Sequence, residues 1–171
     1  MSRPWASALR LRYRWQQLAP DPVAGGTGWI LYDAARRAYR LHNDFHNGRA
    51  LDYLLHEESG RSWVSELRDG SRHCSLHPTD RRVSLDRHPA EGRVLGETEL
   101  NGVAVRVVEW QEPGHDRWVW YLDEEDCPRR FLTWTHHGDI LVDHWLRDLQ
   151  TGLEFGEADF MPDPRWGCPQ D

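Results

Sequence analysis

Apolar and polar residues alternate with a period of two along most of the chain, the pattern of strands with one buried and one wet face. In Leu9-Arg10-Leu11-Arg12-Tyr13-Arg14-Trp15 every odd position is apolar or aromatic and every even one is arginine. Pro20, Pro22, Gly25, Gly26 and Gly28 follow and read as a loop. Residues 29–32 and 38–43 form a predicted antiparallel pair around the turn Asp33-Ala34-Ala35-Arg36. Further strands are predicted at 51–57, 62–68, 72–76, 92–100, 103–110, 117–123, 129–135 and 140–149. Asn101-Gly102 is the strongest hairpin signal, and Asp69-Gly70 and the 136–139 stretch with Gly138 are further turns. Helical periodicity is nearly absent. One turn is predicted at 158–161, closed off by Pro162 and Pro164, with 163–171 as a loose tail. The expected fold is one mainly β domain over 1–171, a strongly curved antiparallel sheet of eight to ten strands. It would be either a closed barrel or an open half-barrel.

Composition sharpens this picture in two places. At 171 residues there is room for one core, and 39 % hydrophobic with 29 % charged residues is a globular balance. Ten tryptophans are the outlier. Each brings a rigid apolar surface and one N–H, which suits the walls of a cavity for flat ligands and equally suits filler in a thin β core. The net charge of −7 argues against a nucleic-acid surface, and Arg10, Arg12 and Arg14 read as one solvated strand face. No run of about 18 apolar residues could cross a membrane as a helix, and Met1-Ser2-Arg3-Pro4-Trp5 lacks the apolar segment of a signal peptide. Cys74, Cys127 and Cys168 are odd in number and widely spaced. Reduced thiols and a cytoplasmic location are therefore expected.

Ten histidines invite a search for metal ligands. His42 with His46, His73-Cys74 with His77, and His136-His137 with His144 match no ligand spacing, so no metal is expected. There is no Gly-x-Ser-x-Gly elbow. Gly25-Gly26-Thr27-Gly28 leads into a strand, whereas phosphate loops lead into helices, so no nucleotide cofactor is expected. What remains is charge embedded in aromatic strands. Alternation places Glu66 with Val64 on one face, Trp63, Ser65 and Leu67 on the other, and Arg147 on the face of Trp145 and Leu149. An arginine among rings can clamp a carboxylate in bidentate fashion. A glutamate beside apolar neighbours is pushed toward the range useful for acid–base work. Taken singly, each is equally the mark of an ordinary surface or salt-bridged residue.

Three short motifs in the same order carry a resemblance. Asp33-Ala34-Ala35-Arg36-Arg37-Ala38-Tyr39-Arg40-Leu41 with Phe45, then Arg61-x-Trp63-Val64-Ser65-Glu66-Leu67, then Tyr121-Leu122-Asp123, Pro128, Arg130 and Leu146-Arg147-Asp148 resemble the VioE-like family of indole natural-product enzymes. The similarity touches the first seventy and last fifty residues, and 72–111 does not align. The resemblance implies a dimeric half-barrel of the LolA/LolB-like type, working without metal or organic cofactor. The implied substrate is an aromatic carboxylate, a reactive imine dimer of indole-3-pyruvate from upstream oxidases. Its rearrangement or cyclisation would be directed toward a bisindole-type product. It further implies Glu66 as the acid–base group, Arg147 as the carboxylate anchor and Phe45 as an aromatic wall; the strand pattern adds Trp63 and Trp145 as candidate substrate-binding rings. Leu11 and Tyr13 fall where the family has Tyr and Ser, and His46 stands where it has Asn. The same half-barrel serves a non-catalytic carrier, LolA-like or ependymin-like, for a lipid or aromatic metabolite, and fold alone does not decide between them.

Overall fold

The computed structural model of the protein describes residues 8–20, 25–83, 85–135 and 138–170. The strands are β1 (Ala8–Ala19), β2 (Gly25–Asp33), β3 (Ala38–Phe45), β4 (Ala50–His56), β5 (Arg61–Arg68), β6 (Ser71–Pro78), β7 (Arg93–Leu100), β8 (Val103–Trp110), β9 (Arg117–Leu122), β10 (Pro128–Trp134) and β11 (Leu141–Thr151). They form one antiparallel sheet in the order β6-β5-β4-β3-β2-β1-β11-β10-β9-β8-β7. Two meanders, β1 to β6 and β7 to β11, are thus sewn together along the β1–β11 pair. The only helical segments among the described residues are short 3-10 turns, one of them at Glu157–Phe160 where a turn is predicted. The sheet is open, with β6 and β7 as its edges, and it has one strand more than the expected upper bound.

The glycine-rich stretch predicted as a loop is instead the first half of β2. Its reason is crowding by β3. A Cβ on Gly26 would stand 1.7 Å from the Asp44 carbonyl oxygen, and one on Gly28 2.2 Å from Asn43 Oδ1. Glycine here permits close strand approach. Pro22 and the His136-His137 pair lie outside the described residues.

Curvature follows from connectivity. Ten inter-strand gaps of about 4.8 Å would set the edges of a flat sheet roughly 48 Å apart. The connection between them is only residues 79–92 and includes a 3-10 turn at Pro89–Glu91, which shortens its reach. The edges must therefore bend toward each other. Packing agrees: Tyr39 of β3 and Leu55 of β4 belong to the same buried cluster as Val108 of β8 and Trp118 and Trp120 of β9. The 79–92 crossover runs through the hollow and plugs one end with Val83 and Leu85, both buried. The buried Glu57 carboxylate accepts from the Val83 N–H at 2.8 Å and holds it in place.

The convex face is covered on its β3–β6 side by the C-terminal segment. His56 Nε2 meets the Phe160 carbonyl at 2.8 Å, and Trp63 donates to the Pro169 carbonyl at 2.9 Å. Arg40 and Arg72 lie over the Trp166 ring, and Cys168 is disulfide-bonded to Cys74. Residues 163–170 of the expected loose tail are thus fixed to the sheet, Asp171 lies outside the described residues, and the expectation of reduced thiols is corrected for Cys74 and Cys168. Cys127 alone keeps a free thiol. The pairing was hidden by its sequence separation of 94.

Closing so long a loop restricts the unfolded chain. Cys74→Ser is expected to lower the unfolding free energy by about 2–4 kcal/mol, and to raise amide exchange over 157–170 well above that of β1 and β11. Exchange left unchanged would show that the non-covalent contacts alone hold the segment.

Candidate functional site

Cross-strand register builds the hollow row by row. Trp120, Phe131, His144 and Trp15 are successive partners across β9, β10, β11 and β1 and form one floor row. The next row, Trp118, Thr133, Val142 and Gln17, lies one step further from the plug. Phe131 is the hub: His144 stacks on it at 4.2 Å between centroids, with Trp120 at 4.9 Å and Trp118 at 5.3 Å. Opposite these rows stand Tyr39, Leu41, Asn43 and Phe45 of β3 and Leu51 of β4. Between the two walls lies a cavity of about 210 Å³. A dry cavity of about 150 Å³ accepts benzene, whereas sites for drug-sized ligands start near 300 Å³. The space fits one small ring system.

Polar groups in the wall are mostly spoken for. Tyr13, fully buried, donates to Asn43 Oδ1 at 3.0 Å. Arg81, from the crossover, gives Asp116 two hydrogen bonds, from Nε at 2.9 Å and Nη2 at 2.5 Å. Its guanidinium also lies 4.7 Å from the Tyr53 ring centroid. Burial works against this cation, yet Asp116 and the flanking tyrosines more than offset that, so the guanidinium stays charged. His144 is the contrary case. Burial holds it neutral, its pKa pushed down to about 3 against the pull of the Phe131 and Val142 backbone. Two buried nitrogens, Trp118 Nε1 and His144 Nδ1, have no hydrogen-bond partner among the described residues.

The residues predicted as a site do not come together. Glu66 and Val64 share a face as expected, and strand register places it on the concave side opposite Leu51. It nevertheless sits exposed, on the strand next to the sheet edge. Arg147 is exposed on the opposite, convex face, where it lines a surface depression with Arg12, Thr27, Trp29, Asp44 and Asp148. It shares that face with Trp145, as alternation predicts, but not with Leu149, because β11 is bulged: the register shifts between Arg12 and Tyr13, so Asp148 faces Arg12 while Leu146 faces Tyr13. Trp145 therefore lies on the convex face and Leu149 on the concave one. Trp145 donates to Asp143 at 3.2 Å, under the guanidinium of Arg130. Trp63 is buried on the convex face beneath the C-terminal segment. Leu11 and Tyr13 are core residues, and His46 is exposed. Phe45 does line the cavity, edge-on to Trp15 at 4.9 Å.

Sequence reasoning missed Trp118, His144, Arg81 and Asp116. The first two had a signal, since Trp118 shares strand parity with Trp120, and His144 with Val142. Arg81 and Asp116 had none, because each sits in an irregular segment and only the fold joins them.

No protein-family model and no curated protein matches the chain. Solved structures do. An uncharacterized conserved protein from Thermus thermophilus is 14 % identical, with 94 % of this chain and 88 % of that one covered at a TM-score of 0.55. An outer membrane lipoprotein-sorting protein domain from Vibrio parahaemolyticus is 10 % identical, with 93 % and 91 % covered at a TM-score of 0.39. The Pseudomonas aeruginosa MucA/MucB complex is 14 % identical, with 92 % of this chain and 56 % of that one covered at a TM-score of 0.33. The Thermus likeness shows a shared fold.

Acid should expose the buried imidazole. In the unfolded chain this histidine takes up a proton below about pH 6.5, whereas the folded one waits until about pH 3. The unfolded state binds more protons in that window, so stability drops as the pH is lowered, by about 1.4 kcal/mol per unit. His144→Phe should flatten the urea-unfolding free energy between pH 6.5 and 4. An unaltered slope would place the acid sensitivity elsewhere.

Proposed function

We propose that this chain is a binding protein, a non-catalytic carrier whose guest is one small aromatic or apolar molecule held in the concave cavity. The observation that carries this reading is the hollow itself. Trp15, Tyr39, Phe45 and Trp118 surround it together with Leu41, Leu51 and Val142, a lining typical of small-molecule sites. The crossover closes one end with Val83 and Leu85. The tryptophans serve both purposes weighed from composition, because Trp118 and Trp120 fill the core while Trp15 and Trp118 also face the cavity.

The rearrangement chemistry implied by the VioE-like resemblance asks for Glu66 and Arg147 around one guest. Their exposure on opposite faces removes that support, and an imine dimer carrying two indole rings exceeds the space available. The carrier reading needs neither residue. The Cys74–Cys168 bond supports a site of action where thiols are oxidised, since such bonds persist outside the reducing cytosol.

Two isosteric probes test the cavity: acetophenone and α-methylstyrene, each followed by ligand-observed NMR and titration. Both should bind at sub-millimolar concentration, and Val142→Phe, which places a ring in the space, should weaken both at least tenfold with circular dichroism unchanged. If neither probe binds, or if Val142→Phe binds them as well as the parent chain, the cavity is not the site.

A further inference from the structure

Resting on the carrier reading, we infer that the guest is uncharged and presents a hydrogen-bond acceptor, a carbonyl or ether oxygen beside its ring, to the indole N–H of Trp118. The argument starts from charge. A carboxylate guest entering a buried site requires a cation free to meet it. Among the described residues lining the cavity the positive group is Arg81, and it is already neutralised by Asp116, its Nε and Nη2 both committed to one carboxylate oxygen. Pulling an anion onto Arg81 would either displace Asp116, itself buried, or bring a second negative charge beside it. His144 is neutral at any ordinary pH and offers no alternative. The charge of Arg81 is balanced before a guest arrives, and a neutral molecule fits the cavity best.

Hydrogen bonding then selects among neutral molecules. Trp118 is 2 % exposed, lines the cavity and holds an indole N–H that no described residue accepts. An unmet buried donor costs about 1–3 kcal/mol, and the other tryptophans under cover of the fold avoid it. Trp63 donates to Pro169, Trp110 to Pro89 and Trp15 to Thr27. Trp118 is the exception, in the row that faces the open space. A guest oxygen would relieve it, and a hydrocarbon of equal shape would not. Stacking of Trp118 on Trp120 at 5.5 Å and on Phe131 at 5.3 Å holds the ring on a rigid support.

The two probes separate these ideas because a carbonyl oxygen in one replaces a methylene in the other. Trp118→Phe keeps a ring in place and deletes the donor. Acetophenone is expected to bind the variant about tenfold more weakly, equivalent to about 1.4 kcal/mol, while α-methylstyrene changes by less than twofold. In the parent chain the Trp118 indole proton should move downfield with acetophenone and stay within its hydrocarbon range with α-methylstyrene. Benzoate should bind more weakly than acetophenone. Equal losses for both probes, an unmoved indole proton or tighter binding of benzoate would each overturn the inference while leaving the cavity reading intact; binding of neither probe would overturn both. Should Trp118→Phe not fold, the indole shift in the parent chain decides the matter.

Discussion

A single sheet has two faces and no second sheet to cover either, and everything else in this protein answers that constraint. Apolar strand faces left in water would cost about 25 cal/mol for every Å² exposed. The concave face solves the problem by bending until its two wings meet, which is why residues from β3 and from β9 share one cluster. Bending alone leaves a hollow. The crossover fills one end of it, and the cavity is the residue of an incomplete solution to packing. The convex face cannot fold onto itself. Its β3–β6 side is covered by the C-terminal segment, and near β1 it is simply polar, with Arg12, Arg14 and Gln16 exposed.

Holding covers in place on a sheet calls for anchors stronger than apolar contact, and the chain uses carboxylates sunk into the fold. Glu57 fixes the crossover at Val83, and Asp116 fixes it at Arg81. On the other face Asp52, buried, gathers His42 at 2.9 Å and Arg72 at 3.1 Å, and Arg72 then lies across Trp166. The Asp52 hydrogen bond is the main reason His42 is held above its ordinary pKa. Arginine suits these positions because its planar head binds a carboxylate through its edge and a ring through its face. Arg130 does the same between Asp143 and the rings of Tyr121 and Trp145. Much of the charge and many of the tryptophans that stand out in the sequence are therefore structural pairs.

Strand positions are legible in the sequence because alternation is a local property, and each of the eleven predicted runs falls within an observed strand or overlaps one. The exceptions have specific causes. Gly25 to Gly28 read as a loop because glycine is a turn residue, but their role is set by β3, a neighbour that only the folded sheet supplies. Counting carries Trp145, Arg147 and Leu149 to one face, and it fails before Leu149 at a bulge, which depends on how β1 and β11 register from opposite ends of the chain. The Cys74–Cys168 pair likewise depends on tertiary placement of two distant segments. Motif resemblance inherits these errors, since short runs around Glu66 and Arg147 describe strands well and say little about which way the curved sheet turns each side chain.

Binding and catalysis differ in what a cavity must contain, and that difference can be argued from its polar atoms. Proton transfer to a guest requires a group that titrates near neutral pH and can reach it. Among the described residues lining this cavity, His144 and Tyr39 have been moved away from that range and Arg81 is tied up. His144 is neutral far below it, Tyr13 and Tyr39 are raised by burial, and Arg81 and Asp116 satisfy each other. Such a wall resists change as a guest enters. It offers shape and a lining of rings around the space.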